Sequence, residues 1–336
     1  MHSFLRSFPL LAVASLLTGC AVGTDDSHAD DEGLGESSAA VVAGNGLTYN
    51  GLTYNGLTYN GLTYNGLTYN GLTYNGVELG GTQLSGLRLD GALVTGIGFV
   101  GSSLTAILSD STPITLHIDA IEASADPEVY LYTLSYPDGS NVCGQNLIGQ
   151  NIKAIPLTGR WDYSTGNPTS GAHIDDPSMF TLACVGSTLA KCVQLGYKPW
   201  KTVEEYSGAQ HHPISGAALH QACVWMIRAD YCGDGTAHTQ TGTPINLWDN
   251  FQIQKPGKGA KAWTKDAEWS AEGAECIANL RHDEGGETTA YINAHCPERW
   301  AAPFSCFSNS STFFTSTGYA TPLTSRSLIR NQFDDN

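Results

Sequence analysis

The sequence has few positive charges and lacks several patterns on which common functions depend. Its 336 residues include 16 Lys and Arg against 32 Asp and Glu, a formal net charge of −16. Because proteins bind nucleic acids mainly by neutralising phosphates with Lys and Arg, this balance excludes a nucleic-acid partner. No Cys-x-x-Cys or His-x-x-x-His pair supplies the close spacing that zinc sites favour. We therefore expect no metal and no cofactor, and zinc is kept as the alternative.

The chain also lacks an apolar run long enough to span a bilayer, since residues 8–17 are the longest candidate near its start. Arg6 precedes this run and residues 17–20 read LTGC, which resembles the lipobox of bacterial lipoproteins. The resemblance implies a signal peptide over residues 1–19 and a lipidated Cys20 that anchors the chain to the membrane. Ala21 follows in place of Asp, which favours the outer membrane of the cell envelope. An ordinary secretory signal is the alternative.

The next segment is acidic and cannot form a core. Six acidic residues lie within residues 25–36, among Ser and Gly. Such a composition remains solvated. We therefore predict an acidic flexible tether over residues 20–45.

Glycine recurs at every fifth position from Gly46 to Gly101. Residues 46–75 are six perfect GLTYN units, and residues 77–106 continue the period with looser units. Tracts of this kind resemble the pentapeptide-repeat family. The resemblance implies a short right-handed quadrilateral β-helix over residues 46–106, in which the central side chain of each unit points inward.

The perfect units depart from that family at the inward position. Each carries Tyr there, from Tyr49 to Tyr74, where the family prefers Leu or Phe. A buried phenol needs a hydrogen-bond partner, and identical units do not fix a register. An extended spacer over residues 46–75 is therefore the alternative to the β-helix.

Residues 107–336 predict a Cys-rich globular domain of the α+β class, mainly antiparallel β with about two helices. Apolar residues alternate with polar ones in 114–118 and 130–136, the period of a strand. Residues 159–163 and 179–185 are further strand candidates. A Ser cap and a Gly stop predict a helix over residues 187–195, and a mostly apolar helix is predicted from Pro213 to Gly233.

The cysteines of this domain form an even set. An even number of Cys in an exported chain indicates disulfide bonds, although the sequence alone does not choose the pairs. Cys223 and Cys232 lie too far apart along a helix to bond each other, so each should join the helix to another element. The predicted disulfide cysteines are Cys143, Cys184, Cys192, Cys223, Cys232, Cys276, Cys296 and Cys306.

Four short motifs in this domain resemble the ADYC domain of bacterial exported proteins. Residues 229–232 read ADYC and are followed by GDG. The run AKCVQLGYKPW at 190–200, the His220-x-x-Cys223 pair and AEWSAEGAECI at 267–277 are similar to other parts of that domain. The resemblance implies a disulfide-bonded exported module and carries no enzymatic activity.

Candidate catalytic residues are few. His220 lies near Asp230 in the sequence, and His173 precedes Asp175 and Asp176, so a His–Asp pair could form. His220 lies in an apolar helix, however, and is more typical of a hydrogen-bonded core residue. Asp230 is expected to end the helix or pair with Arg228. The spacing Asp230-x-Cys232-x-Asp234 superficially resembles a calcium loop, but Cys stands at an oxygen-ligand position.

Three functions follow from these features. The first is a non-enzymatic lipoprotein of the cell envelope with a lipid anchor, a repeat spacer and a disulfide-braced module that binds an unknown protein or envelope polymer. The second is an exported hydrolase with a His/Asp site. The third makes the repeat tract itself a self-assembly element or a modification target.

Overall fold

The computed structural model describes part of the chain. The described residues are 42–44, 62–63, 68–69, 72–88, 91–107, 113–161, 172–176, 179–207, 210–240, 242–249, 251–255, 263–300, 306 and 327–334. They all belong to one compact unit, Leu34–Asn336. The predicted signal peptide, Cys20 and the acidic run lie outside the described residues and stay predictions.

The described chain is mainly antiparallel β with three α-helices, which confirms the predicted α+β class. The helices are α1 (Thr188–Gln194), α2 (Gly216–Arg228) and α3 (Glu287–His295). All pairings between named strands are antiparallel. The strands are β1 (Val42–Gly44), β2 (Leu62–Thr63), β3 (Thr68–Tyr69), β4 (Leu72–Gly80), β5 (Gln83–Arg88), β6 (Leu93–Thr95), β7 (Ser102–Ile107), β8 (Pro113–Ala123), β9 (Tyr130–Ser135), β10 (Ala154–Thr158), β11 (Arg160–Trp161), β12 (His173–Ile174), β13 (Met179–Cys184), β14 (Thr202–Ser207), β15 (Gln210–Ser215), β16 (Pro244–Asp249), β17 (Thr264–Ser270), β18 (Gly273–Ile277) and β19 (Ile329–Phe333).

The largest sheet contains ten strands in the order β2-β13-β10-β9-β8-β7-β3-β4-β5-β6. It combines strands of the repeat tract with strands of the Cys-rich segment. The two segments are joined where β7, the last strand of the repeat tract, pairs with β8, the first strand of the Cys-rich segment. Alternation within the strands places Leu84, Leu104, Leu116 and Ile118 in one buried cluster.

The β-helix prediction is not confirmed. Coils of a β-helix stack in parallel, whereas β4, β5 and β6, which run from the last perfect unit into the looser units, form an antiparallel meander. Gly81, with φ of 65°, lies in the tight turn between β4 and β5. One glycine of the five-residue period therefore serves a hairpin turn. Within the perfect units, the structure describes the backbone of β2, β3 and the start of β4 only.

A second sheet has five strands in the order β1-β16-β19-β17-β18. Its edge strand β1 comes from the end of the predicted tether, where the uncharged residues Val42–Gly44 pair with β16. Helix α2 packs against this sheet and is buried over nearly its whole length. No helix among the described residues is long and apolar enough to cross a membrane.

The two predicted helices differ in how well their bounds were placed. Helix α1 agrees with the prediction, since Ser187 Oγ accepts a hydrogen bond from Ala190 N and Gly196 follows with φ of 92°. Helix α2 is shorter than predicted. It begins after Ser215 because Pro213 belongs to β15, and it ends at Arg228, so Cys232 lies beyond the helix.

Four disulfide bonds use all eight cysteines of the Cys-rich segment, as predicted. Cys192–Cys223 joins α1 to α2, and Cys232–Cys296 joins the segment after α2 to the end of α3. Cys223 and Cys232 therefore bond different elements. The other two bonds are Cys143–Cys184 and Cys276–Cys306.

Candidate functional site

Residues 229–232 reverse the chain at the end of α2. Ala229 adopts a left-handed conformation with φ of 50° and ψ of 41°. Its N–H donates to Met226 O at 3.1 Å, and the N–H of Asp230 donates to Trp225 O at 2.9 Å. This pair of bonds is a Schellman cap, which satisfies two of the free carbonyls at the helix end. The cap sets the direction in which the following residues leave the helix.

Asp230 is buried beside Arg228, as the sequence predicts. Its Oδ2 lies 3.9 Å from Arg228 Nε, and its Oδ1 accepts from Asp234 N at 3.2 Å. Burial raises the pKa of Asp230 to about 7, and the neighbouring Arg228 opposes this rise. Arg228 Nη2 also donates to Gly235 O at 2.7 Å, which ties the helix to the following loop.

Tyr231 enters a buried polar network. Its hydroxyl donates to Asp266 Oδ1 at 2.8 Å and accepts from Arg281 N at 2.9 Å. Burial, together with the Asp266 carboxylate, holds the pKa of Tyr231 well above its usual range. The phenol is therefore a fixed donor at neutral pH and has no access to solvent.

Arg281 and Asn331 complete this network. Arg281 Nε donates to Asp266 Oδ2 at 2.9 Å, and Asn331 Nδ2 donates to the same oxygen at 2.7 Å. Arg281 also donates to Met226 O and Ile227 O in the last turn of α2. A buried cation at a helix C-terminus stabilises the free carbonyls there. The network therefore fixes the end of α2 to β17 and β19.

Two glycines permit a close approach of the backbones beside this turn. Gly233 has φ of 69°, and a Cβ atom there would lie 2.2 Å from Glu272 O. Gly273 has φ of 113°, and its Cβ would lie 2.8 Å from Gly233 N. The Cys232–Cys296 bond then links the same turn to α3.

A partly exposed polar cluster lies on the outer side of the turn. Tyr291 OH donates to Asp234 Oδ2 at 2.7 Å and lies 2.8 Å from Thr236 Oγ. The ring of His238 lies 4.8 Å from that of Tyr291, and the ring of His295 stacks on it at 4.0 Å. Burial lowers the pKa of His238. Within the described ranges no group of three or more His, Cys, Asp or Glu side chains could hold a metal ion.

The predicted catalytic candidates His173 and His220 flank one tryptophan, with ring centroids 4.8 Å and 5.8 Å from Trp161. His220 Nε2 donates to Leu189 O at 2.9 Å, and His173 Nε2 lies 3.1 Å from Thr158 O. Each histidine is thus oriented by a backbone carbonyl.

No contact in the described part of the chain joins either histidine to Asp230. Asp230 follows the end of α2, whereas His220 lies two turns before that end, about 12 Å away along the axis. Burial lowers the pKa of His220 to about 4, so the ring is neutral at pH 7. The hydrogen bond from His220 Nε2 to Leu189 O joins α2 to α1, and the histidine side chain is buried between them.

Two segments of the chain match known protein families. Residues 96–283, more than half of the chain, match the ADYC domain. The chain belongs to the ADYC domain family. Residues 46–77 match the GLTT repeat in six copies. No curated protein and no solved structure gives a significant match.

The ADYC match begins within the looser repeat units and includes every part of the turn at residues 229–235. All four residues of the ADYC sequence therefore have a structural role in this chain: Ala229 in the cap, Asp230 with Arg228, Tyr231 in the buried network and Cys232 in a disulfide bond.

Several residues of this site were not singled out from the sequence. Asp266 and Arg281 lie 35 and 50 residues from Tyr231. The charged residues that alternate with apolar ones in β17 are typical of a half-exposed strand, yet Asp266 and Glu268 are both buried. The only available signal was the proximity of Asp266 to the segment at 267–277 that resembles the ADYC domain.

Proposed function

We propose that this protein is a lipid-anchored lipoprotein of the bacterial cell envelope, whose ADYC domain is a non-enzymatic module that binds a partner or braces the envelope. The observation that carries the proposal is the use of all four ADYC residues in closing α2. Ala229, Asp230 and Tyr231 are fully buried, and the partly buried Cys232 is bonded to Cys296. Four disulfide bonds support an oxidising compartment for the domain.

In this proposal the segments before the domain serve as anchor and spacer. Lipidated Cys20 holds the protein in the outer membrane, and the acidic residues 20–45 keep the chain solvated between membrane and domain. The perfect units at 46–75 add further length, as an extended spacer or as coils of the pentapeptide-repeat type. The partner is a protein or an envelope polymer.

Metabolic labelling with a fatty acid tests the anchor. Cells expressing the full chain should incorporate label into the wild type and none into Cys20→Ala. Both proteins are recovered by an antibody against the ADYC domain, and thiol titration verifies that the four disulfides have formed in each. An unlabelled wild-type protein contradicts the anchor and leaves only ordinary export.

A second experiment tests the absence of enzymatic activity. The purified protein is assayed against ester, amide and glycoside substrates beside His173→Gln and His220→Gln, which remove the ring at each candidate position. We expect no activity that either substitution lowers. Hydrolysis that is lost in His173→Gln but kept in an exposed control, His295→Gln, would establish the hydrolase in place of the binding module.

A further inference from the structure

The loop between β9 and β10 exposes two large aliphatic side chains at its tip. Leu147 is 86% exposed and Ile148 is 76% exposed. We call residues 146–149, which form the turn of this loop, the apolar tip. Isolated surface aliphatics are common, but here two adjacent ones occupy the end of one turn.

The apolar tip is held in one conformation by its own hydrogen bonds. Asn146 Oδ1 accepts from Ile148 N at 3.2 Å and from Gln150 N at 2.8 Å. Asn146 N donates to Gln150 O and Gly149 N donates to Asn146 O, both at 2.9 Å. At the base of the loop, Cys143–Cys184 joins it to β13. A loop that is already ordered loses little conformational entropy on binding.

The same loop has a low free-energy cost of desolvation. Residues 139–152 contain no charged side chain. The N–H groups of Asn146, Ile148, Gly149 and Gln150 all have partners within the loop. An unsatisfied backbone group costs several kcal/mol in an apolar phase. The turn avoids that cost for four of the five N–H groups of residues 146–150.

The small area of the apolar tip favours a lipid bilayer over a protein as its binding partner. A stable protein interface buries about 800 Å² on each partner, and two aliphatic side chains cover a small fraction of that area. Insertion into a bilayer interface has no such minimum when a second attachment holds the protein nearby. We propose that the apolar tip inserts into the interfacial region of a lipid bilayer, as a second and weaker membrane contact.

This inference rests on the proposed location of the protein at the envelope membrane. A lipid chain at Cys20 would raise the local concentration of the domain at the bilayer, so a weak contact would be populated. Insertion of Leu147 and Ile148 would then fix which side of the ADYC domain faces the membrane. A second pair of exposed aliphatic residues, Leu93 and Ile97, lies at β6 and the turn after it and provides a matched control.

The test uses the chain from Ala21, exported with an ordinary secretory signal, which keeps every described residue and carries no lipid. Flotation with neutral phosphatidylcholine vesicles measures binding of the wild type, of Leu147→Ser/Ile148→Ser and of Leu93→Ser/Ile97→Ser. The control pair is matched in composition and similar in exposure, with Leu93 68% and Ile97 73% exposed. We expect the partition coefficient to fall at least about tenfold in the tip variant and to change less than about twofold in the control.

Three outcomes overturn the proposal. They are no flotation of the wild type, flotation of the tip variant equal to that of the wild type, and an equal fall of the partition coefficient in the tip and control variants. Absence of flotation is also expected if the apolar tip binds a pocket in another protein instead of a bilayer. Anionic phosphatidylglycerol should weaken flotation because the chain is acidic, and stronger flotation would assign binding to basic side chains instead. Since this chain has no Cys20, the result is independent of the fatty-acid labelling that tests the anchor.

Discussion

Tyr231 donates its hydroxyl hydrogen to Asp266 Oδ1 at 2.8 Å across 35 residues of sequence, and neither side chain is accessible to solvent. The same hydroxyl accepts from Arg281 N, so one phenol oxygen joins the turn after α2 to β17 and to the segment before α3. Buried polar networks of this kind are stable only when each member has its partners. The Tyr of the ADYC sequence is therefore essential to the packing of this domain.

Removal of that hydroxyl should destabilise the domain. Tyr231→Phe leaves Asp266 Oδ1 and Arg281 N without this partner in a buried site, and we expect a loss of about 1–3 kcal/mol in the free energy of unfolding. Urea denaturation with the disulfides intact measures it. Tyr130→Phe is the control, because no hydrogen bond of the Tyr130 hydroxyl occurs among the described residues. Equal stabilities for the two variants would contradict the role of Tyr231.

The close approach of Gly273 to residues 231–233 should tolerate no side chain. Gly273→Ala adds a Cβ at 2.8 Å from Gly233 N and 3.0 Å from Tyr231 O, at a φ of 113° that L residues avoid. We expect destabilisation of about 2 kcal/mol or more. Gly242→Ala has φ of 84° and no atom within 4 Å of the added Cβ. It isolates the backbone strain, about 1 kcal/mol, and the difference between the two variants measures the steric contact.

Local features of this chain were predictable, and pairings between distant segments were not. The Ser187 cap and the Gly196 stop gave α1 its bounds, because capping depends on residues three or four apart. The end of α2 was misplaced because Ala229, a good helix former, adopts the left-handed conformation under tertiary packing. A period of five in glycine is compatible with coils and with hairpins, and the antiparallel pairing of β4 with β5 is not encoded in the period itself.

The candidate site shows the same division. That the cysteines would form disulfide bonds followed from their even number, but the choice of Cys192 for Cys223 depended on how α1 packs against α2. The pairing of Asp230 with Arg228 was predictable because they are two residues apart. The pairing of Tyr231 with Asp266 was not, since nothing in a single strand reveals which buried carboxylate faces it.

Loss of the bond between α1 and α2 should cost much of the domain's stability. Cys192→Ala/Cys223→Ala opens a loop of 31 residues, for which the chain-entropy argument gives about 3–4 kcal/mol. Guanidinium denaturation of the oxidised proteins measures the change. Thiol titration of the denatured, unreduced chain from Ala21 should find no free thiol. Free thiols in the wild type would show that the bonds do not form and would make a metal site possible again.

The buried Asp230 should make stability depend on pH. Its pKa in the folded state, about 7, lies above the unfolded value of 3.8, so the carboxyl favours folding most below pH 3.8 and this contribution is lost as pH rises towards 7. Relative to wild type, Asp230→Asn should therefore gain up to about 1.4 kcal/mol per pH unit over that range. Asp138→Asn is the contrast, since hydrogen bonds from Ser140 lower the pKa of Asp138 and its effect has the opposite sign. No change in the Asp230→Asn difference with pH would contradict the burial of a titrating carboxyl.

His220 should show the opposite pH dependence. Burial lowers its pKa to about 4 in the folded protein, below the ordinary value of 6.5. The neutral ring therefore contributes full stability above pH 6.5, and this contribution is lost as pH falls towards 4.

His220→Gln keeps an N–H that can donate to Leu189 O but does not titrate. Wild type should therefore lose up to about 1.4 kcal/mol per pH unit relative to this variant between pH 6.5 and 4. Thermal or urea unfolding at several pH values gives the two curves, and parallel curves would contradict the neutral buried ring. Because acidification acts in opposite directions on His220 and Asp230, the double variant should show a flatter difference from wild type between pH 4 and 6.5 than either single variant, and this cancellation tests both assignments in one series.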